Sequence, residues 1–184
     1  MSRLSNAAVA GNDFHVDANH SNITGGSFDI GNADAHGGRG FSPVTAAVSG
    51  NDFHVDASHS NIIGSPVDLG SAHAGGFGAG VVSIAGNDFH GIFSNDIFID
   101  STLEIGSANA GGFGAGVASV AGNDFHDIDF SHDIFIGSTL EIGSANAGGF
   151  GGGVASVAGN DFHDINFSND IFIGSTLEIG VAHD

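Results

Sequence analysis

Five copies of Gly-Asn-Asp-Phe-His, starting at Gly11, Gly50, Gly86, Gly122 and Gly159, divide the chain into units of 36 to 39 residues. A fixed period in the range of about 20 to 50 residues marks a repeat architecture. In such a fold each unit buries its apolar face against its neighbours. The whole chain therefore reads as one repeat array, with units near 7–45, 46–81, 82–117, 118–154 and 155–184. What such a chain builds is a stacked surface, with no single pocket singled out by its residues.

Aligning the units turns residues into columns. One column is Asn12, Asn51, Asn87, Asn123 and Asn160. Next to it run Asp13, Asp52, Asp88, Asp124 and Asp161, then Phe14, Phe53, Phe89, Phe125 and Phe162, then His15, His54, His90, His126 and His163. An acidic column follows at Asp29, Asp68, Glu104, Glu141 and Glu178, and a second Phe column at Phe41, Phe77, Phe113 and Phe150.

Within a unit the apolar residues alternate with a period of two, and Gly-rich punctuation separates the runs. In Asp133–Ile142 one parity holds Ile134, Ile136, Leu140 and Ile142, and the other holds Phe135, Thr139 and Glu141. Read as one strand, this predicts Ile134, Ile136, Leu140 and Ile142 inside, together with Phe125, and Phe135 outside. No helical periodicity of useful length competes. Gly, of which there are 32, costs a helix about 1 kcal/mol per residue relative to Ala. The composition does not fit a disordered segment either, because 41% of residues are hydrophobic and the 16 Phe recur periodically. The fold expected is an all-β, parallel β-solenoid of five imperfect repeats, one layer per repeat, with amyloid-like stacking. Each column then becomes a ladder with rungs about 4.8 Å apart, ring on ring for Phe and amide on amide for Asn. The longer steps of 37 and 39 residues call for insertions, for which the Gly-rich turns offer room.

Charge narrows the function. The chain has 21 acidic residues, two Arg (Arg3 and Arg39) and no Lys, for a net charge of -19. Nucleic acids and anionic membranes are bound through Lys and Arg, so neither is an expected partner. No Cys means no disulfide framework and no thiolate metal site. No run is apolar enough to span a bilayer as a helix. The first ten residues lack the apolar stretch of a signal peptide, so secretion would take a route that needs none. Stacked acids about 4.8 Å apart repel by about 1 kcal/mol in water. They should carry raised pKa values, and acid or calcium should then favour stacking.

The Asp and His columns place a carboxylate and an imidazole two residues apart on one strand face. That pattern suits Zn, Cu or Ni, and its plainer reading is a solvated face with His partly offsetting carboxylates. The candidate metal ligands are Asp88, His90, Asp124, His126, Asp161 and His163, with Glu104, Glu141 and Glu178 from the acidic column. The Thr column Thr102, Thr139 and Thr176 would suit ice binding, but Glu141 and its equivalents spoil a flat hydroxyl array. No nucleophile–base–orienter set is present, repeated sites are unlike the single asymmetric pocket of an enzyme, and no enzyme activity is expected.

Two resemblances follow from these residues. Gly75-Gly-Phe-Gly-Ala-Gly80 and Gly122-Asn-Asp124 resemble the calcium-binding nonapeptides of secreted RTX proteins, although Gly80, Gly116 and Gly153 stand where those carry the Asp ligand. The Gly-Asn-Asp-Phe-His repeats and Ser144-Ala-Asn-Ala-Gly-Gly149 resemble the bacterial functional amyloids, curli and Fap-type fibre subunits, in architecture. Curli repeats carry Gln at fixed positions and this chain has none. The resemblance implies an extracellular or cell-surface structural protein, polymerising head to tail with itself into matrix filaments. The alternative is a soluble β-solenoid module binding calcium or another divalent cation, with no cofactor otherwise required.

Overall fold

Five stacked coils of parallel strands make up the chain in a computed structural model that describes residues 5–36 and 44–184; Arg3, Arg39 and Phe41 lie outside those residues. Each coil visits five sheets once, so one repeat makes one layer. Sheet one holds Ser5–Ala10, Val44–Ser49, Gly80–Ala85, Gly116–Ala121 and Gly153–Ala158. Sheet two holds Asp13–Asp17, Asp52–Asp56, Asp88–Ser94, Asp124–Ser131 and Asp161–His163, with Asn166–Ser168 also paired to Asp124–Ser131. Sheet three, through Ile97–Ile99 and Ile134–Ile136, sheet four, through Thr102–Ile105 and Thr139–Ile142, and sheet five, through Ala108–Ala110 and Ala145–Ala147, complete the circuit. The repeat columns are the register: Phe14 pairs with Phe53, Phe53 with Phe89, Phe89 with Phe125 and Phe125 with Phe162.

The corners explain why strands of only two to eight residues stay in place. In the second, third and fourth coils four corners follow one rule, in which a residue in the left-handed region is followed by a buried polar residue. In the fourth coil these pairs are Gly122–Asn123, His132–Asp133, Gly137–Ser138 and Gly143–Ser144. The third coil repeats the rule at Gly86–Asn87, Asn95–Asp96, Asp100–Ser101 and Gly106–Ser107. At the first three of these corners the buried side chain meets backbone groups that a bend leaves without a ladder partner. The N–H of Asn87 donates to Asn123 Oδ1 at 3.0 Å, and Asn87 Nδ2 donates to the same oxygen at 2.9 Å and to the Val48 carbonyl at 3.1 Å. At the third corner the N–H of Ser101 donates to Ser138 Oγ at 3.2 Å, while Ser101 Oγ donates to the Ile62 carbonyl at 3.0 Å.

These corners correct the strand reading of Asp133–Ile142. Gly137, at φ 59°, breaks it into Ile134–Ile136 and Thr139–Ile142 and resets the alternation. Phe135 is therefore buried, and Ile134 and Ile136 lie half-buried on the outer side, opposite to expectation. Leu140, Ile142 and Phe125 are buried as expected. The place of the insertions is corrected in one case. The extra residue of the fourth coil is Asp127, a bulge in sheet two at φ 49°, where the register against Asp88–Ser94 shifts. The three extra residues of the first coil do fall between His36 and Val44, in the Gly-rich segment.

The core is a set of ladders. Phe53, Phe89 and Phe125 stack at 4.8 Å between ring centroids. Phe98 stacks on Phe135 at 4.7 Å and Phe93 on Phe130 at 4.9 Å, and Phe130 meets Phe135 edge to face. Where sheets one and five meet, the interior narrows to Ala and Gly. A Cβ on Gly116 would lie 2.6 Å from the Ala110 carbonyl oxygen. Gly106 illustrates both demands at once: its φ is +61° and a Cβ there would lie 2.8 Å from the Phe89 ring. Gly122, at φ +65°, has open space around it. An L-residue in the left-handed region costs about 1–2 kcal/mol. Gly122→Ala should lower stability by about that much, and Gly106→Ala by clearly more, because a ring must also move. Equal shifts in the unfolding midpoint of the two variants would contradict the ring contact.

Candidate functional site

The Gly–Asn corner sets the geometry of sheet two. Asn turns inward, so strand alternation sends Asp out, Phe in and His out. The Asp and His columns thus share the outer face, as the spacing predicts. Asp88 pairs in register with Asp52 and Asp124, His90 with His54, and His126 with His163. The imidazoles stack at 4.6 Å for His15 and His54, 5.3 Å for His90 and His126 and 5.4 Å for His126 and His163.

Two groupings stand out along this face. Between the third and fourth coils, His126 Nε2 lies 2.8 Å from Asp88 Oδ1 and His90 Nδ1 lies 3.8 Å from the same oxygen, with Asp52 Oδ1 3.6 Å from His90 Nδ1. Between the fourth and fifth coils, His163 Nδ1 sits 3.5 Å from both Asp124 Oδ1 and Asp161 Oδ1. The donor atoms of Asp88, His90 and His126 lie within 4.8 Å of one another, and so do those of Asp124, Asp161 and His163. The bulge residue Asp127 adds a carboxylate 3.1 Å from His126 Nδ1. Burial works against charge on His126, but the Asp127 hydrogen bond and the Asp88 and Asp124 carboxylates outweigh it and raise its pKa. His54 goes the other way, its pKa lowered by burial and then by the flanking His90 and His15.

Glu104, Glu141 and Glu178 are in register on sheet four, a different face, and the structure does not bring them to the Asp–His ladder. Their partners come from sheet five, five residues on. Asn109 Nδ2 donates to Glu104 Oε2 at 2.9 Å, Asn146 Nδ2 to Glu141 Oε2 at 3.0 Å, and His183 Nε2 lies 2.9 Å from Glu178 Oε2. Burial, followed by the adjoining Asp68 and Glu141 carboxylates, pushes Glu104 up to about 8, and burial also raises Asp68 and Glu141. For these three carboxyls the direction is the expected one, with desolvation ahead of stacking as its cause.

A third acidic column escaped the sequence reading. Ser60, Asp96, Asp133 and Asp170 follow the left-handed residues of the corner between sheets two and three. Asp96 and Asp133 are fully buried. The N–H groups of Ser60, Asp96 and Asp133 donate to Oδ1 of Asp96, Asp133 and Asp170 at 2.6, 2.8 and 2.8 Å. Oδ2 of each Asp has no hydrogen-bond partner. The signal was the spacing: Asn95-Asp96 and His132-Asp133 occupy the same corner slot as Gly122-Asn123.

In the turn between sheets five and one, Phe77, Phe113 and Phe150 form an exposed stack at 4.8 and 5.1 Å. No helix among the described residues is long and apolar enough to cross a membrane. No known protein-family model matches this chain, and no curated protein matches it, so the likeness to curli, Fap-type and RTX proteins rests on the repeat residues alone.

Proposed function

We propose that this chain is a structural subunit that assembles end to end into β-solenoid filaments, a functional amyloid of the extracellular or cell-surface matrix. The observation that carries this reading is the sameness of the coil-to-coil interface. The same Asn and Phe columns meet at every junction, and the other inward columns set apolar residue on apolar residue, so the upper side of one coil suits the lower side of another, including one in a second copy. The outer side of the last coil exposes Ile171, Phe172, Ile173, Leu177 and Ile179. Continuing the register by one coil sets Asn160 on Asn12, Phe162 on Phe14, Phe172 on Ile23, Leu177 on Phe28 and Ile179 on Ile30 of a second copy. Phe98 on Ile62 and Leu103 on Val67 already make contacts of that kind within the chain. An apolar strand edge with unpaired backbone groups is a template for further pairing.

Purified protein is expected to form long unbranched fibres in negative-stain micrographs, with a meridional diffraction spacing near 4.8 Å. Phe172→Asp with Leu177→Asp, confined to the last coil, should leave the strand signal in circular dichroism and abolish the fibres. A wild-type chain that stays monomeric at high concentration in every salt and pH would reject the reading.

A further inference from the structure

We propose that the outer face of sheet two holds a transition-metal dication of the Zn²⁺ class, bound by His90 Nδ1, His126 Nε2 and Asp88 Oδ1 across the junction of the third and fourth coils. This goes beyond filament assembly and does not depend on it. A tetrahedral Zn²⁺ site with bonds of 2.0–2.2 Å separates its donors by about 3.3 Å. The 2.8 Å and 3.8 Å separations from Asp88 Oδ1 to the two imidazole nitrogens bracket that value.

The state of these atoms points the same way. Asp88 Oδ1 and His90 Nδ1 are shielded from solvent and have no hydrogen-bond partner. His126 Nε2 comes within 2.8 Å of Asp88 Oδ1 without hydrogen-bond geometry. Three atoms able to ligate a metal therefore lie within 4.8 Å of one another, two of them shielded and without a hydrogen-bond partner. Asp52 Oδ1, 3.6 Å from His90 Nδ1, lies beside this group but does not belong to it, which leaves the fourth position to water. No Lys or Arg lies among the described residues, so among them imidazolium is the one side-chain cation that could offset these carboxylates besides a bound metal. Two imidazoles with carboxylate oxygen suit Zn²⁺, Cu²⁺ or Ni²⁺, whereas Ca²⁺ takes six to eight oxygens. The grouping of Asp124, Asp161 and His163, with one imidazole, repeats the plan one junction further on as a weaker second site.

The test is a titration of the chelator-treated full chain with Co²⁺, read by its visible ligand-field absorption, followed by displacement with Zn²⁺. Saturable binding of one to two ions per chain is expected, and Ca²⁺ at the same concentration should not displace the metal. His90→Ala with His126→Ala should weaken Zn²⁺ binding at least tenfold, a modest bound given that outer-shell partners alone are worth roughly 10–100-fold. His20→Ala with His59→Ala is the control. That pair is stacked at 5.0 Å with no carboxylate in ion-pair contact, and its loss should change nothing. Asp88→Asn, of the same shape, reports on the site even where the double His variant fails to fold. Equal Zn²⁺ affinity in wild type and Asp88→Asn, displacement by equimolar Ca²⁺, or no Co²⁺ spectrum at all would overturn the proposal.

Discussion

Phe89→Ala with Phe125→Ala is expected to unfold the middle of the solenoid, while Phe113→Ala leaves it nearly as stable as before. All three rings stack at 4.8 Å on a neighbour. They differ in burial, since Phe89 and Phe125 are 1% and 0% exposed and Phe113 is 55% exposed. Removing a buried Phe costs about 3–5 kcal/mol through lost transfer energy and the cavity left behind. The stacking itself is worth only about 0.5–1.5 kcal/mol. The two buried rings touch each other, so their losses need not add. Even one is a large share of the roughly 5–15 kcal/mol that holds a typical domain together. In a one-dimensional array a failed junction also uncouples the coils on either side. The double variant should therefore melt in more than one step, with its first midpoint far below that of the wild type. If Phe113→Ala proved as damaging as Phe125→Ala, stacking rather than burial would be the stabilising effect.

The contrast between these rings shows what the sequence discloses. The period, the columns and the one-coil-per-repeat plan were legible because in-register stacking repeats each residue at each level. The Asp–His face was legible because Asp and His stand two apart on one strand, and a strand fixes their side. Ile134, Phe135 and Ile136 were misplaced because period-two counting passes through Gly137 without seeing that its left-handed backbone resets the count. Glycine announces a possible corner, but His132, Asn95 and Asp100 take the same conformation and announce nothing. Asp133 was passed over for a related reason. A carboxylate just before an Ile-Phe-Ile strand looks like a solvated turn residue, and only the fold reveals that it is buried at its corner as Asn123 is at the corner before. Asp127 reached the Asp–His ladder as a bulge, which residue spacing alone does not place.

The buried acid column carries the other large effect: stability is expected to fall as pH rises from about 4 to about 8. Burial pushes Asp96 up to about 7 and Asp133 up to about 8 from 3.8, against the pull of the backbone N–H that each accepts. The groups facing them add to the rise, Asp56 at Asp96, and Asp96, Asp170 and Asp129 at Asp133; Asp170 itself is raised, with His132 as the nearby imidazole that opposes the rise. A folded pKa above the unfolded one means that the folded state keeps a proton the unfolded chain releases. The contribution to stability is whole below about pH 4, declines through the window up to about 7 or 8, and is level above it. A rise of about three units corresponds to roughly 4 kcal/mol at one site. Coupling within the column keeps the sites from simply adding. Asp68, Glu104 and Glu141, which burial also raises, slope the same way, so the variant Asp96→Asn with Asp133→Asn is needed to separate them. Its amides can accept the same N–H groups and donate where Oδ2 now has no partner, as Asn87 and Asn123 do one corner earlier. Denaturant titrations at pH 4.5 and 8.5 should show the variant close to wild type at the lower pH, more stable at the higher, and with most of the slope gone. An unchanged slope would mean that these two carboxyls ionise freely within the fold, and that the acid dependence belongs to the outer columns.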